Sequence, residues 1–346
     1  MPAEKASPFN TILMIRPGGI GDAVLIIPAI DSLKKTYPKA TITVLAERRN
    51  GGIFSLAPAV DRVLLYDRPG DLLRAIRGGC DVVIDSEQWH YLSAVVARLT
   101  KAAVSTGFAT NEREKLFTNP VKYSHDDYEV DSFYRLLAPL GISKPENIEQ
   151  PFLTVPEEAI GKVMTLLSDL AGKAFVAIFP GASIPERRWG IDKFGDVAKR
   201  LHQRGISVVV VGGREDMSAG DRIIAGGDVF NLAGKTSLVE TAAVIGKSAL
   251  LLSGDSGILH IAVGLGKPTV SLFGPGIAKK WAPRGPRHAV INKNLPCSPC
   301  TRFGYTPKCP INARCMSDIT VNEVVEAVEK LLGMQKFVDN NDGKLI

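Results

Sequence analysis

The chain has 346 residues, of which 45% are hydrophobic and 23% charged, and its length predicts two domains rather than one core. No apolar run reaches the roughly 18–20 residues of a membrane span, and residues 1–10 contain no signal-peptide core, so a cytoplasmic protein is expected. The formal net charge of +6 is mild and suits an anionic substrate or membrane surface, and no basic run or motif indicates nucleic-acid binding.

The first half of the chain alternates short apolar strands with helical segments. A glycine-rich turn containing Gly18, Gly19 and Gly21 follows the first strand, and Pro28 marks either a kink or the true first turn of the next helix. Strands are predicted at 11–15, 40–46, 63–66, 82–85 and 103–107, and helices at 23–35, 86–99 and 126–140. This alternation is typical of an α/β domain with a parallel sheet.

Asp22 stands directly after the glycine turn, at the start of a helix. The helix dipole stabilises an ionised carboxylate there, so Asp22 can accept a proton at neutral pH. An N-cap is the structural alternative. The same turn would open an NAD(P) site if Gly19 and Gly21 were its first two glycines and Glu47 bound a ribose. The third glycine of that motif would fall at Val24, which breaks the pattern.

The second half repeats the alternation after a polar, proline-containing linker at 142–156. Strands are predicted at 175–179, 207–211, 250–252, 269–273 and 288–291, and helices at 156–170, 192–205, 237–246, 258–264 and 320–332. Two of these helices begin with capping boxes, formed by Ser237 with Glu240 and by Thr320 with Glu323.

Three strand ends in the second half carry polar residues: 183–187 with Arg187, Glu215, and 255–260 with Asp255. Open α/β sheets bind ligands at the carboxyl ends of their strands, where such residues meet. A guanidinium neutralises phosphate charge, and a helix N-terminus with small residues suits a phosphate. We therefore predict a nucleotide diphosphate site. Taken singly, Arg187 would be a surface charge, Glu215 and Asp255 would be helix caps, and His260 would be an interfacial histidine.

Four of the five cysteines cluster late in the chain, at Cys297, Cys300, Cys309 and Cys315. The Cys-x-x-Cys start is typical of a zinc knuckle, but the later spacings are irregular. The alternatives are a structural zinc site, a redox-sensitive loop, and cysteines that pack or pair without catalytic meaning. Cys80 has the apolar strand context of a core residue.

Three segments together resemble glycosyltransferase family 9, whose best-known members are the ADP-heptose:lipopolysaccharide heptosyltransferases. They are 12–28 (ILMIRPGGIGDAVLIIP), 234–238 (GKTSL) and 254–275 with its Asp-Ser-Gly-x-x-His core. The resemblance runs over about residues 11–333. The late cysteine segment also resembles one seen in family members, which weakens the zinc interpretation.

The resemblance implies a GT-B fold, in which two Rossmann-like α/β domains with parallel sheets face a central cleft. An N-terminal acceptor domain is expected at 11–150 and a C-terminal nucleotide-sugar donor domain at 156–333. The chain ends, 1–10 and 334–346, are expected to be disordered.

The resemblance also implies an inverting transfer of heptose from ADP-heptose to the inner core of lipopolysaccharide, with no metal and no cofactor. The chain has no Asp-x-Asp motif of the kind that a metal-dependent transferase uses. An anionic lipid-linked glycan acceptor implies peripheral contact with the inner face of the cytoplasmic membrane, for which the mild positive charge is suited. The alternatives are an NAD(P)-dependent oxidoreductase and a catalytically degenerate GT-B binding module.

Four residues match catalytic positions of the family. Asp22 matches the proposed general base, which takes the proton of the attacking hydroxyl. Arg187 stands where the family commonly has a lysine that steadies the departing diphosphate; it keeps the charge but changes the geometry. Asp255 matches an acidic residue near the donor sugar, and His260 matches the site histidine.

The resemblance also implies a set of binding residues. Glu215 matches a contact to the nucleotide ribose, and Ser183 matches a phosphate-binding hydroxyl. Ala182 departs from the paired threonines of some members. The remaining binding positions are the diphosphate contacts Ser256 and Gly257, the first-turn glycines Gly18, Gly19 and Gly21, and Arg113 in the region that meets the anionic acceptor.

Overall fold

A computed structural model of the chain describes residues 9–170, 172–224, 229–302 and 304–341, with side chains of the last helix described through Gly333. The chain divides into two compact units, Met1–Thr154 and Val155–Ile346, and the boundary lies within the predicted linker. Of the ends expected to be disordered, residues 1–8 and 342–346 lie outside the described residues. Asn10, by contrast, donates its N–H to Asp81 at 2.7 Å.

The first unit is built around one six-stranded sheet. Its helices and strands are β1 (Thr11–Arg16), α1 (Ile20–Leu25), α2 (Ile27–Thr36), β2 (Thr41–Ala46), β3 (Arg62–Leu65), α3 (Pro69–Arg77), β4 (Val82–Asp85), α4 (Tyr91–Leu99), β5 (Val104–Phe108), β6 (Asn119–Val121) and α5 (Glu129–Arg135). The order β3-β2-β1-β4-β5-β6 places β1 centrally, and all paired strands are parallel. The chain therefore changes direction across the sheet between β1 and β4, where such sheets leave a ligand-binding crevice.

The second unit repeats this topology with another six-stranded parallel sheet. Its elements are α6 (Glu157–Leu166), β7 (Phe175–Phe179), α7 (Ile191–Gln203), β8 (Ser207–Val210), α8 (Met217–Ile223), β9 (Val229–Asn231), α9 (Leu238–Lys247), β10 (Leu250–Gly254), α10 (Gly257–Gly264), β11 (Thr269–Phe273), α11 (Ala278–Trp281), β12 (His288–Asn292), α12 (Arg314–Ser317) and α13 (Val321–Asn341). The order β12-β11-β10-β7-β8-β9 places the second direction change between β7 and β10.

The predicted strands are confirmed at nearly their predicted bounds, whereas several helices differ. The helix predicted at 23–35 is two helices that meet at Ile26, with Pro28 in the first turn of α2. The helix predicted at 86–99 begins only at Tyr91, because the side chain of Glu87 accepts the N–H groups of Trp89 and His90. Helices α3 and α8 and the three-residue strands β6 and β9 were not predicted.

The C-terminal helix packs on the sheet of the second unit. Val324 and Val328 are fully buried in the same core cluster as Val197 of α7 and Leu252 of β10. Its predicted capping box is present, since Glu323 accepts the N–H of Thr320 at 2.8 Å. The helix continues to Asn341, past its predicted end at residue 332.

No helix among the described residues is long and apolar enough to cross a membrane. The predicted capping box of α9 is also confirmed: Ser237 accepts the N–H of Glu240 at 3.3 Å and donates its own N–H to Glu240 at 2.8 Å.

Gly107 is a packing constraint on the first sheet. It pairs in register with Asp85, and a Cβ at this position would lie 2.2 Å from the ring of Phe117. We expect Gly107→Ala to lower the free energy of unfolding by about 1–3 kcal/mol, because the ring must move out of the core. Urea unfolding measures this change.

Gly161→Ala is the matched control, because a Cβ at Gly161 of α6 would meet no atom within 4 Å. This variant should gain up to about 1 kcal/mol from the higher helix propensity of alanine. Equal stability of Gly107→Ala and the wild type would show that Phe117 does not hold the position of β5.

Candidate active site

An arginine–carboxylate pair joins the ends of β1 and β4 in the first unit. Arg16 Nη2 lies 3.3 Å from Glu87 Oε2, and both side chains are buried. Arg16 also donates from Nε to Pro17 O at 2.7 Å and from Nη1 to Ser86 O at 2.8 Å. All three guanidinium nitrogens thus have acceptors within the unit, so the pair fixes the two loops.

Glu87 is held in its ionised form. Burial alone would raise the pKa of Glu87, but Arg16 and the N–H groups of Trp89 and His90 together lower it below the usual value. Sequence analysis missed both members of this pair, since Arg16 reads as the end of a strand and Glu87 as part of a helix.

Asp22 lies in the first turn of α1, half-buried, beside this pair's loop. The N-cap of α1 is Gly19, so the alternative role of Asp22 as an N-cap is wrong. Burial raises the pKa of Tyr123, and the nearby charges of Glu129 and Asp22 raise it further.

The glycines of the first turn have different environments. Gly18 has a positive φ of 104°, and a Cβ there would lie 3.2 Å from Arg16 Nη2, so both the backbone and the close approach favour glycine. A Cβ at Gly19 would meet nothing within 4 Å, so packing within the unit does not require glycine at this position. Gly21 is half-buried within α1.

Arg113 does not occupy the position expected for an acceptor contact. Its side chain is fully buried, and Nη2 lies 2.5 Å from Asp85 Oδ2, which is also fully buried. Nη1 donates to the backbone oxygen of Glu87. The expected contact with an anionic acceptor is corrected here: the guanidinium has no exposed surface and supports the loop after β4 instead.

A second arginine–carboxylate pair lies at the direction change of the second sheet. Arg187, which follows β7, places Nη1 at 3.0 Å from Asp255 Oδ2, which follows β10. The Arg187 side chain is 14% exposed and Asp255 is 7% exposed. Among the described residues, nothing accepts a hydrogen bond from the buried Nε of Arg187. The guanidinium is therefore only partly satisfied by the protein.

Helix α10 begins next to this pair. Ser256 is its N-cap and accepts the N–H of Leu259 at 3.4 Å, and the Ser256 hydroxyl also bonds Ser253 Oγ at 2.8 Å. Gly257 opens the first turn, whose N–H groups have no acceptor within the helix. This turn and Arg187 together suit the two charges of a diphosphate.

His260 lies one turn further along α10 and is 3% exposed. Burial lowers the pKa of His260 to about 4, so its imidazole is neutral at physiological pH. A neutral imidazole can donate or accept a hydrogen bond, according to its tautomer.

Ser183 and Glu215 lie on the loops after β7 and β8, and both are exposed. Because β7 and β8 are neighbouring strands, the two loops lie on the expected edge of the sheet.

Asp216, next to Glu215, is a residue that sequence analysis missed. It is buried and accepts the N–H of Gly213 at 3.0 Å. A Cβ at Gly181 or at Gly212 would lie 2.5 or 2.6 Å from its carboxylate oxygens, so Asp216 packs closely against the loops after both β7 and β8. Burial raises its pKa. Because Glu215 and Asp216 are adjacent acids, the sequence alone does not indicate which of the two side chains is buried.

Lys280 of α11 was also missed. It follows β11 at the same edge of the sheet and is fully buried, with Nζ 5.8 Å from the centroid of the Trp281 ring. The segment 282–287 that follows Lys280 is a polar loop without hydrophobic periodicity, so no sequence pattern indicated that Lys280 is buried.

The four late cysteines are free thiols that line one cavity of about 240 Å³, together with Glu186 and Pro275. Burial raises the pKa of Cys300 and of Cys315, which keeps these thiols protonated at neutral pH. Within the described part of the chain, no group of three or more His, Cys, Asp or Glu side chains is arranged to hold a metal ion. The zinc interpretation is therefore not supported. Cys80 is half-buried and packs against a core cluster of the first unit.

Two Rossmann-like halves, each with its first strand in the middle of a parallel sheet, define a protein of the GT-B class. Solved structures share this fold. A glycosyltransferase family 9 protein from Veillonella parvula aligns with a TM-score of 0.78 at 20% identity, covering 93% of this chain and 97% of that one. The Escherichia coli ADP-heptose lipopolysaccharide heptosyltransferase II aligns with a TM-score of 0.77 at 24% identity, covering 94% and 99%.

Sequence comparisons agree with the fold. The model of glycosyltransferase family 9 (heptosyltransferase) matches residues 70–309, which is more than half of the chain. Lipopolysaccharide heptosyltransferase 3 of Escherichia coli is 29% identical over 287 residues, covering 76% of this chain and 83% of the relative. Lipopolysaccharide heptosyltransferase 2 of Salmonella typhimurium is 26% identical over 306 residues, covering 81% and 87%. The chain belongs to glycosyltransferase family 9 and is a glycosyltransferase, and the oxidoreductase and binding-module alternatives are not favoured.

The buried pair of Arg113 and Asp85 gives a test of the corrected role. Arg113→Leu should lower the free energy of unfolding by about 3–5 kcal/mol, because it leaves a buried carboxylate without its partner. The double variant with Asp85→Leu should recover part of this loss.

Arg48→Leu is the control, since the pair of Arg48 with Asp67 is exposed and should contribute about 0–1 kcal/mol. If Arg113→Leu kept wild-type stability but weakened binding of the acceptor, the acceptor role would have to be restored.

The buried His260 should make the free energy of unfolding depend on pH. Its pKa falls from 6.5 to about 4 on folding, so protons bind the unfolded chain more tightly. The stability that the neutral imidazole of His260 contributes is present in full above pH 6.5 and is lost as pH falls towards 4. Because of His260, the free energy of unfolding of the wild type should therefore fall by about 2 kcal/mol between about pH 7 and pH 5. The variant His260→Gln should lack this part of the decrease.

Urea unfolding at the two pH values measures this difference, with His90→Gln at an exposed position as the control. An unchanged pH slope in His260→Gln would mean that the imidazole is already protonated in the folded protein.

Proposed function

We propose that this protein transfers a heptose from ADP-heptose to the inner core of lipopolysaccharide, with inversion at the anomeric carbon and without a metal ion. The second unit holds the nucleotide-sugar donor, and the first unit carries Asp22 as the general base. The domain limits proposed are 11–150 for the acceptor and 156–333 for the donor.

One observation carries the donor assignment: the incomplete ion pair of Arg187 with Asp255. Its counterpart in the first unit, Arg16 with Glu87, has every guanidinium nitrogen satisfied by the protein. Arg187 instead leaves Nε buried with no acceptor among the described residues. The Nε of Arg113 is unsatisfied as well, but the Arg113 side chain is fully buried, whereas that of Arg187 is 14% exposed and within reach of a ligand. A buried donor without a partner costs free energy, so a ligand oxygen that accepts from it is favoured.

The relatives support the identity of the donor and acceptor. The matching curated proteins from Escherichia coli and Salmonella typhimurium are named lipopolysaccharide heptosyltransferases. An Escherichia coli heptosyltransferase with ADP-2-deoxy-2-fluoro heptose shares the fold, with a TM-score of 0.72 at 18% identity and coverage of 92% and 99%. ADP-heptose is therefore the proposed donor.

The donor's sugar–phosphate bond breaks with positive charge developing on the sugar and negative charge on the diphosphate. Arg187 and the first-turn N–H groups at Ser256 and Gly257 stabilise the departing charge, since they are fixed before the reaction begins. Asp255 orients Arg187 through the 3.0 Å contact and lies close to the developing positive charge. This arrangement supplies the electrostatic stabilisation that a metal ion gives in other transferases.

Asp22 acts on the acceptor. The acceptor hydroxyl gives its proton to the Asp22 carboxylate while its oxygen forms a bond to the anomeric carbon, and the electrons of the broken bond leave with ADP. Attack from the face opposite ADP inverts the configuration. Asp22 lies outside the matched range 70–309, so its role rests on its position at the end of β1.

The remaining residues are proposed to bind. Glu215 contacts the ribose of the nucleotide, Ser183 contacts a phosphate, and His260 donates a hydrogen bond from its neutral imidazole. The glycines Gly18, Gly19 and Gly21 leave room for the acceptor beside Asp22. The acceptor is an anionic lipid-linked glycan, and contact with the inner membrane is peripheral.

Asp22→Asn removes the base with little change in shape. We expect kcat for heptose transfer to fall by about 10²–10⁴, the usual contribution of a general base, while the Kd for ADP stays unchanged. A transfer assay with ADP-heptose and a core oligosaccharide, run in EDTA, measures kcat, and calorimetry measures ADP binding.

Asp192→Asn is the matched control, because Asp192 is also an acid in the first turn of a helix and is exposed. Near wild-type kcat in Asp22→Asn would remove Asp22 from the mechanism. Activity of the wild type that is lost in EDTA and restored by a divalent cation would contradict the metal-free proposal.

A further inference from the structure

Helix α4 of the first unit exposes apolar side chains along one face. Tyr91, Leu92 and Leu99 are 44%, 62% and 50% exposed, and Val95 between them is half-buried. Positions 92, 95 and 99 have the spacing of a single helix face. We call this surface, made of Tyr91, Leu92, Val95 and Leu99, the α4 face.

The opposite side of α4 is already packed. Ser93, Ala94, Val96 and Ala97 are buried against the sheet. The helix is therefore apolar on both sides, although only one side is needed to hold it on its unit. Exposed apolar side chains grouped on one helix face, unlike single ones scattered over a surface, can mark an interaction site.

Cations border the α4 face. Arg98 and Lys101 are exposed at the C-terminal end of the helix, and Lys115 is exposed on the neighbouring 3₁₀ turn. Arg98 and Lys115 line the same cavity of about 200 Å³. Glu112 pairs with Lys115 at 3.4 Å, and Glu114 on the same turn is half-buried, so the local positive charge is moderate.

The α4 face also lies close in the chain to the proposed acceptor end of the first unit. Glu87, which pairs with Arg16 at the direction change of the sheet, accepts the N–H groups of Trp89 and His90 just before the helix. The start of α4 is thus fixed to the loop that borders the Asp22 turn.

From this combination we infer that the α4 face is where the protein contacts an anionic lipid bilayer. Tyrosine and leucine on one face of a helix with arginine and lysine beside them are suited to the interface between acyl chains and headgroups. The cations match the negative surface of such a membrane. The inference rests on the proposed function only in that a lipid-linked acceptor requires the enzyme to reach a membrane.

Flotation with vesicles of phosphatidylglycerol and phosphatidylethanolamine tests the inference without any transfer reaction. The wild type should bind these vesicles and bind phosphatidylcholine vesicles weakly. The double variant Leu92→Ser with Leu99→Ser should bind at least about tenfold more weakly, since it removes two apolar side chains from the interface. Arg98→Ser with Lys101→Ser should weaken binding and reduce its salt dependence.

Met164→Ser with Leu166→Ser is the matched control, because these side chains are similarly exposed on α6 of the second unit. It should bind vesicles like the wild type. Melting temperatures close to that of the wild type would show that all variants fold, as expected for exposed positions.

The transfer assay separates this inference from the proposed function. With a soluble core oligosaccharide, the α4-face variant should keep the wild-type rate; with the acceptor embedded in vesicles, its rate should fall as its binding falls. Failure of the wild type to bind anionic vesicles at low salt, or equal binding by wild type and variant, would overturn the inference and leave the transferase proposal standing. A wild-type dimer in solution that the variant abolishes, without vesicle binding, would overturn it in favour of a second copy.

Discussion

In both units an arginine at the end of the first strand, or in the loop after it, pairs with a carboxylate that follows the fourth strand. Arg16 meets Glu87 at 3.3 Å, and Arg187 meets Asp255 at 3.0 Å. The strand order leaves these two loops side by side at the point where the sheet changes direction. Each pair bridges these two loops, and every candidate site residue stands on one of them or next to one.

The two pairs share a position but differ in how fully the protein satisfies them. A buried ion pair repays its desolvation cost only if its other hydrogen-bonding groups also find partners. Arg16 meets that condition with Pro17 O and Ser86 O. Arg187 does not, and it stands beside the first turn of α10. The same architecture thus yields a fully satisfied pair in one unit and an incompletely satisfied pair in the other, and the second pair is the one we propose for the donor diphosphate.

Most of the fold follows from apolar periodicity. The parallel strands are short runs of β-branched and aliphatic residues, and their ends are marked by glycine or polar residues, which is why Asp22, Arg187 and Asp255 could be singled out. The alternation of strands and helices along the chain also predicts, by itself, that the loops carrying these residues share an edge of a sheet. The family resemblance then supplied roles that no spacing rule gives.

What could not be predicted depends on contacts between segments that are distant in the chain. Arg113 was expected at the acceptor, yet Asp85, far from it in sequence, holds it inside the first unit. Helix α4 starts late because one carboxylate, Glu87, takes the N–H groups that would have begun it. Asp216 and Glu215 are adjacent acids, and only the packing of Gly181 and Gly212 decides that Asp216 is the buried one.

The central claim is that the incomplete pair of Arg187 and Asp255 marks the donor diphosphate site. A crystal structure of the protein with bound ADP tests it most directly. We expect the diphosphate to accept hydrogen bonds from Arg187, including Nε, and from the N–H groups at Ser256 and Gly257. A diphosphate found instead on the glycine turn of the first unit, beside Arg16 and Gly18, would contradict the account and exchange the roles of the two units.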